Sequence, residues 1–256
     1  MHTSKTYRLR EFVRPTDGRS LVVDASAGLS LGPLPGLERF EAAVRPVLPL
    51  VDGVVVSPGQ ARRLADRTRA DAALLARATW TNALRGDDFV LPPAEINLIP
   101  LLSPADALDL GVSALVLDFL LGYEEHVEAA CLRATVQLAL EGSQAGIPLL
   151  VDVRPTGPRV VLYSKAVELG VSYALEGGAD GVAVPWPGTD SFSTILQMAG
   201  ETPVWVKVAS DDDVQAALDA GAAGLWLGAE VFARPDPAGA LSALGEQLHA
   251  PAGAQA

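Results

Sequence analysis

Six ionisable side chains end short apolar runs in this chain: Asp24, Arg77, Asp118, Asp152 with Arg154, and Lys207. Glu230 stands just beyond the last such run, after Gly228. A charge at the end of a buried run costs desolvation free energy unless it is paired. A repeated set of both signs therefore marks a place where proton transfer or anion binding can be done. Lys207 interrupts Val204-Trp-Val-Lys-Val208, and of the three lysines it alone is placed to reach an interior, since Lys5 lies in the N-terminal arm and Lys165 on an outer helix. An amine between apolar walls and near Arg77 or Arg154 loses its proton more readily and can attack a carbonyl carbon. The same residue also reads as a lysine neutralised by a buried carboxylate, Asp24 or Asp152. Arg77 and Arg154 suit a carboxylate or phosphate clamp, or they pair internally with Asp118, Asp152 or Glu230. Asp24 and Asp118 are candidates for general acid and base work, against the plainer role of capping the loops that follow.

Other polar and aromatic groups have simpler readings. Asp211-Asp-Asp213 precedes a helical pattern and reads as an N-cap that favours the helix dipole, without a cation. Trp186, in Val184-Pro-Trp-Pro-Gly188, and Tyr123 could line a pocket or simply pack. Cys131 reads as a core thiol, and His126 as a solvated or salt-bridged side chain.

The elements that must position these groups show as Val- and Leu-rich runs, each followed by a loop and an Ala/Leu-rich segment of helical spacing. The runs are Ser20 to Asp24, Gly53 to Ser57, Ala73 to Arg77, Ala114 to Asp118, Pro148 to Arg154, Gly181 to Pro185, Pro203 to Val208 and Gly224 to Gly228. Continuous hydrophobicity suits parallel strands covered on both faces. Echoes such as Glu176-Gly-Gly-Ala-Asp180 and Asp219-Ala-Gly-Ala-Ala-Gly224 place glycine at a helix end ahead of a strand. Eight such units predict an α/β fold, a single (β/α)8 TIM barrel over 1–250 with an N-terminal arm at 1–18 and a flexible tail at 251–256. In such a barrel the active site lies at the C-terminal ends of the strands, where the ring of charges falls.

The chain has 256 residues, 49% of them hydrophobic and 20% charged, which supports a large core and excludes disordered or fibrous classes. Its formal charge of -12 disfavours nucleic acid and membrane surfaces as partners. One cysteine permits no internal disulfide, and three histidines, His2, His126 and His249, make a His-ligated metal centre unexpected. With no apolar span or signal region visible, the expected setting is cytoplasmic.

Leu21-Val-Val-Asp-Ala-Ser-Ala-Gly-Leu-Ser-Leu-Gly-Pro-Leu-Pro-Gly-Leu37 resembles the first strand and loop of the class I aldolase family that contains archaeal-type fructose-bisphosphate aldolases, aminodideoxyheptulosonate synthases and the autoinducer-processing thiolase. Later blocks agree in order: Gly122-Tyr-Glu-Glu125, Gly146-Ile-Pro-Leu149, Gly178-Ala-Asp180, Ala220-Gly-Ala-Ala-Gly224, and Phe232 with Asp236-Pro237. The resemblance spans nearly the whole chain. It implies a barrel, often in a homo-oligomer; the expected partner is a small-molecule substrate, with no cofactor or metal. It also implies that Asp24 belongs to the catalytic set, while the imine-forming lysine position holds Ala183, the proton-relaying tyrosine corresponds to Arg154, and the histidine after the first aspartate corresponds to Ala25. The phosphate-binding turns of the family correspond to Ala209 with Ser210 and to Gly228-Ala229-Glu230.

Alanine cannot form an imine. The leading expectation is an aldolase-type carbon-carbon lyase or synthase with a rebuilt site, in which Lys207 supplies the amine, Asp24 and Arg154 join it in catalysis, and Arg77, Asp118, Asp152, Trp186, Ser210, Gly228 and Glu230 line the substrate site. The alternatives are a catalytically inactive homologue that binds a metabolite or partner, and a lysine-independent isomerase or condensing enzyme on the same barrel.

Overall fold

The computed structural model describes residues 3–64, 71–208 and 211–250. Its strands are β1 (Ser20–Asp24), β2 (Gly53–Val56), β3 (Ala73–Arg77), β4 (Thr79–Thr81), β5 (Leu98–Pro100), β6 (Ala114–Leu120), β7 (Leu149–Arg154), β8 (Gly181–Pro185), β9 (Val204–Lys207) and β10 (Gly224–Leu227). The α-helices are α1 (Thr3–Leu9), α2 (Gly28–Leu31), α3 (Phe40–Val44), α4 (Pro58–Leu64), α5 (Pro104–Leu110), α6 (Glu125–Ala145), α7 (Tyr163–Glu176), α8 (Thr189–Ala199), α9 (Asp211–Asp219) and α10 (Pro237–Leu248). All strands but β4 and β5 run parallel and close into a barrel in the order β1-β2-β3-β6-β7-β8-β9-β10. β4 and β5 pair antiparallel, Thr79 with Pro100, and this hairpin between two barrel strands has no counterpart in the eight-unit sequence pattern.

The continuous apolar runs resolve into two buried sets that alternate along each strand. Leu21, Val23, Val54, Leu74, Leu115, Val151, Val182 and Val206 belong to the layer between barrel and helices. Val22, Val55, Leu75, Val116, Leu150, Ala183, Trp205 and Trp226 form a separate set that fills the barrel. This is the period-two alternation of a strand buried on both faces, and it fixes which residues point inward at the strand ends.

Local signals hold the register. Gly146 ends α6 at φ 72°, a left-handed position that turns the chain into β7. At the closure of the barrel, a Cβ on Gly224 would lie 1.9 Å from the Ser20 carbonyl oxygen, so β1 and β10 pair only because that residue is glycine. The N-terminal end of the barrel is plugged by aromatics: Phe12 stacks on Trp205 at 5.9 Å, Trp205 meets Trp226 edge-on at 6.2 Å, and the Trp205 indole donates to Ser20 Oγ at 2.6 Å. Lys5 pins α1 over this end through Asp180 at 2.7 Å, a carboxylate that also accepts from the Leu149 N–H.

Candidate active site

Two residues beyond the inward-facing Val22, Leu75, Val116, Leu150 and Trp205 stand Asp24, Arg77, Asp118, Asp152 and Lys207. Strand alternation thus delivers the charges to one layer at the barrel mouth, and Arg154, one step further on β7, joins them. Arg77 is the hub. Its guanidinium donates to Ser26 Oγ at 3.1 Å, to Asp118 at 2.9 Å and to Asp152 at 3.3 Å, and is paired closely with Asp24. Arg154 donates to Asp118 at 2.7 Å and to Asp152 at 2.6 Å, and stands 3.7 Å from Asp24. The Lys207 ammonium pairs with Asp152 and donates to the Val153 carbonyl at 3.2 Å. Three carboxylates therefore meet three cations.

Burial within the cluster is uneven. The side chains of Asp24, Asp118, Asp152 and Arg77 are 7%, 5%, 0% and 4% exposed, whereas those of Arg154 and Lys207 reach 19% and 24%. The layer is neutral as a whole, but its open side is positive.

The protonation states follow from these contacts. Burial would push the Asp152 carboxyl up, yet Arg154, Lys207 and Arg77 together hold it well below the usual carboxylate range. Burial likewise opposes the charge on Arg77 and Arg154, and the surrounding aspartates reverse this and hold both guanidinium groups more firmly protonated. Lys207 goes the other way. Desolvation lowers its proton affinity, and the like charges of Arg154 and Arg77 add to this against the attraction of Asp152, so the net shift is downward.

Two members of the network were not among the expected site residues. Ser26 donates to Asp24 from both its N–H and its hydroxyl, and Thr79 exchanges hydrogen bonds of 3.0 Å with the Asp118 carboxylate and N–H. Both follow a charged strand end by two residues, the spacing at which a short hydroxyl side chain caps an aspartate or shares its inward face.

The remaining expected residues are dispersed. Trp186 lies one residue past the inward Pro185, and its ring packs on Phe192 of α8 at 5.2 Å rather than on the charges. The Gly228 N–H donates to the exposed Glu230 carboxylate at 3.1 Å, so these two engage each other. Ser210 lies outside the described residues. The expected two-arginine clamp is altered, since Arg77 is enclosed by its acids and Arg154 alone of the pair reaches the opening. Cys131 is buried, accepts from the Leu120 N–H, and has its thiol pushed up by burial to about 12. Among the described residues no group of His, Cys, Asp and Glu is arranged to hold a metal ion, and no helix is long and apolar enough to cross a membrane.

A closed parallel barrel with a charged layer at its C-terminal rim is the architecture of a (β/α)8-barrel enzyme scaffold. No protein-family model matches the chain. It is, however, 27% identical over 256 residues to the 2-amino-3,7-dideoxy-D-threo-hept-6-ulosonate synthase of Halobacterium salinarum, covering 96% of this chain and 91% of the relative. It is 26% identical to the 2-amino-4,5-dihydroxy-6-oxo-7-(phosphonooxy)heptanoate synthase of Streptomyces griseus, covering 99% and 96%. A solved structure of a Schiff-base-forming fructose-1,6-bisphosphate aldolase superposes with a TM-score of 0.79 at 24% identity, over 96% of this chain and all of that one. Over nearly its whole length the chain is thus similar to synthases and aldolases of the class I aldolase group.

Proposed function

We propose that the protein is an aldolase-type carbon-carbon lyase or synthase that acts on a small carbonyl compound bearing an anionic group, with Lys207 as its amine. The observation that carries this reading is the exposure pattern of the mouth: of six clustered charges, the two that reach the opening are Arg154 and Lys207, both cationic. Support also comes from the relatives, whose names describe synthases and aldolases of sugar-like carbonyl compounds, some of them phosphorylated. The resemblance puts the family's imine lysine at position 183, where a buried methyl faces the barrel interior. In its place, Lys207 offers an amine whose proton is loosened by burial and by two arginines.

In this reading Arg154 receives the substrate anion, and the neutral Lys207 amine adds to the carbonyl carbon. Loss of water gives an iminium that draws in the electron pair of the adjacent carbon-carbon bond. The proton released from the β-hydroxyl passes to the Asp24 carboxylate through Ser26, whose hydroxyl already bonds to it. Asp152 and Arg77 position the amine and the acids from beneath. Because Glu230 occupies the Gly228 N–H, the anion is assigned to Arg154 rather than to the turn after β10.

Borohydride trapping tests the reading with pyruvate and dihydroxyacetone phosphate as carbonyl probes, followed by peptide mapping. The expected result is a reduced adduct on Lys207 that disappears in Lys207→Met; trapping that leaves Lys207 unmodified removes the imine chemistry. A second reading has its own support, because internal pairing of all six charges is also what a binding barrel without turnover would show. An anion that stabilises the protein while no adduct forms would favour it.

A further inference from the structure

At the end of the barrel opposite the charged mouth lies a cavity of about 570 Å³, between α1, the segment leading from it into β1, and the turns that feed β9 and β10. Its volume falls within the ~300–1,000 Å³ usual for small-molecule sites. The floor is apolar: Leu9, Val204 and Ala222 are buried there, with Val13 and Leu196 half-buried beside them. Two guanidinium side chains, Arg10 and Arg19, line the same space. Arg10, exposed at the rim, enters no side-chain hydrogen bond or ion pair among the described residues. Arg19, half-buried, donates to the Leu248 carbonyl at 3.1 Å, at the C-terminal end of α10, and has no carboxylate partner for its guanidinium among the described residues. Of the acids at the rim, Asp17 is committed to His249 at 2.6 Å and to the Arg19 N–H at 2.9 Å, and Glu201 is exposed in the turn after α8. Two arginines beside one apolar recess stand out in a chain of net charge -12.

We propose that this recess is a second binding site, for a small organic anion with an apolar body. The anionic group lies against Arg10 and Arg19, which present fixed forks of donors, and the apolar part covers Leu9, Val13 and Leu196. The proposal is independent of the chemistry assigned to Lys207, because no residue of the recess belongs to the mouth.

The test uses three probes of nearly equal shape, benzoate, benzyl alcohol and benzylamine, titrated into the full chain and followed by amide chemical shifts. Benzoate is expected to bind saturably, shifting Gly18, Gly200 and Gly221, which wall the recess, with the alcohol at least fivefold weaker and the amine weaker still. Arg10→Gln should weaken benzoate about tenfold, the loss of one charge-assisted contact, and Val13→Trp should abolish binding by filling the space. Equal binding of all three probes, benzoate binding unchanged in Arg10→Gln, or shifts confined to the mouth would overturn the proposal. Retention of the wild-type amide spectrum elsewhere in both variants shows that the fold is intact.

Discussion

The two ends of this barrel are built from the same strands and differ in what fills them. At the N-terminal end the inward positions carry apolar side chains, among them Trp205 and Trp226, with Phe12 stacked on Trp205 and α1 pinned above them by Lys5 and Asp180. At the other end, two residues along, the inward positions carry charges that pair with one another. Packing free energy from rings needs only shape and burial. A layer of ions recovers its desolvation cost only through exact partners, and it keeps groups of altered proton affinity where ligands can reach them. Both ends therefore hold the barrel together, the bottom by packing and the mouth by pairing, but only the mouth keeps groups that can react.

That contrast is broken most severely by removing one member from each end. Arg77→Met leaves Asp24, Asp118 and Asp152 with two cations instead of three, and breaking such a buried network costs about 3–5 kcal/mol. Phe12→Ala removes a ring that is 1% exposed and costs about 3–4 kcal/mol by loss of packing. Urea denaturation should show similar losses for the two. Reactivity of Lys207 toward an amine reagent should change strongly in Arg77→Met and stay at the wild-type value in Phe12→Ala. Equal changes in both would mean that the two ends are not separable.

The sequence made one half of this contrast easier to see than the other. Strands β1, β3 and β8 match the apolar runs residue for residue, and β6 runs two residues past its run, because burial on both faces leaves an unbroken hydrophobic signature. The charges at the strand ends were visible for the same reason, as interruptions of that signature. Who pairs with whom was not. Asp152 serves Lys207, Arg154 and Arg77 at once, and this depends on strand stagger and side-chain reach that no local pattern encodes. Ser26 and Thr79 carry no hydrophobic or charge signal, and the β4–β5 hairpin is too short to stand out from a loop. For Trp186 the sequence left pocket lining and packing both open, and its ring packs on Phe192 of α8, one step of register from the inward face.

A milder perturbation sharpens the account of the mouth. Because the proton affinity of Lys207 is lowered by burial and by its arginine neighbours, its amine should be labelled by reductive methylation at about pH 8 faster than Lys165, although its side chain is 24% exposed against 66%. Asp152→Asn removes the attraction that holds the proton while Arg77 and Arg154 remain. The labelling midpoint of Lys207 should then move to still lower pH. A midpoint that rises in Asp152→Asn would mean that the pair is not the dominant favourable contact of that amine.

The smallest expected effect lies at the bottom, where His249 bridges Asp17 at 2.6 Å and Asp52 at 3.0 Å and joins the C-terminal end of α10 to the N-terminal segment. Burial raises the proton affinity of Asp17, but the hydrogen bonds from His249 and the Arg19 N–H, with the charges of His249 and Arg14, outweigh it, and the net shift is downward. A carboxylate whose affinity is lowered by folding contributes stability that is present above its unfolded value and lost as the pH falls through its folded one. Asp17→Asn should therefore cost below about 1 kcal/mol near neutrality, as befits a partly solvated pair. The gap between variant and wild type should close as the pH falls below about 4. Denaturation midpoints at a series of pH values check this: a gap that persists in acid would assign the contact to shape rather than to charge, and would leave the mouth as the end where ionisation governs behaviour.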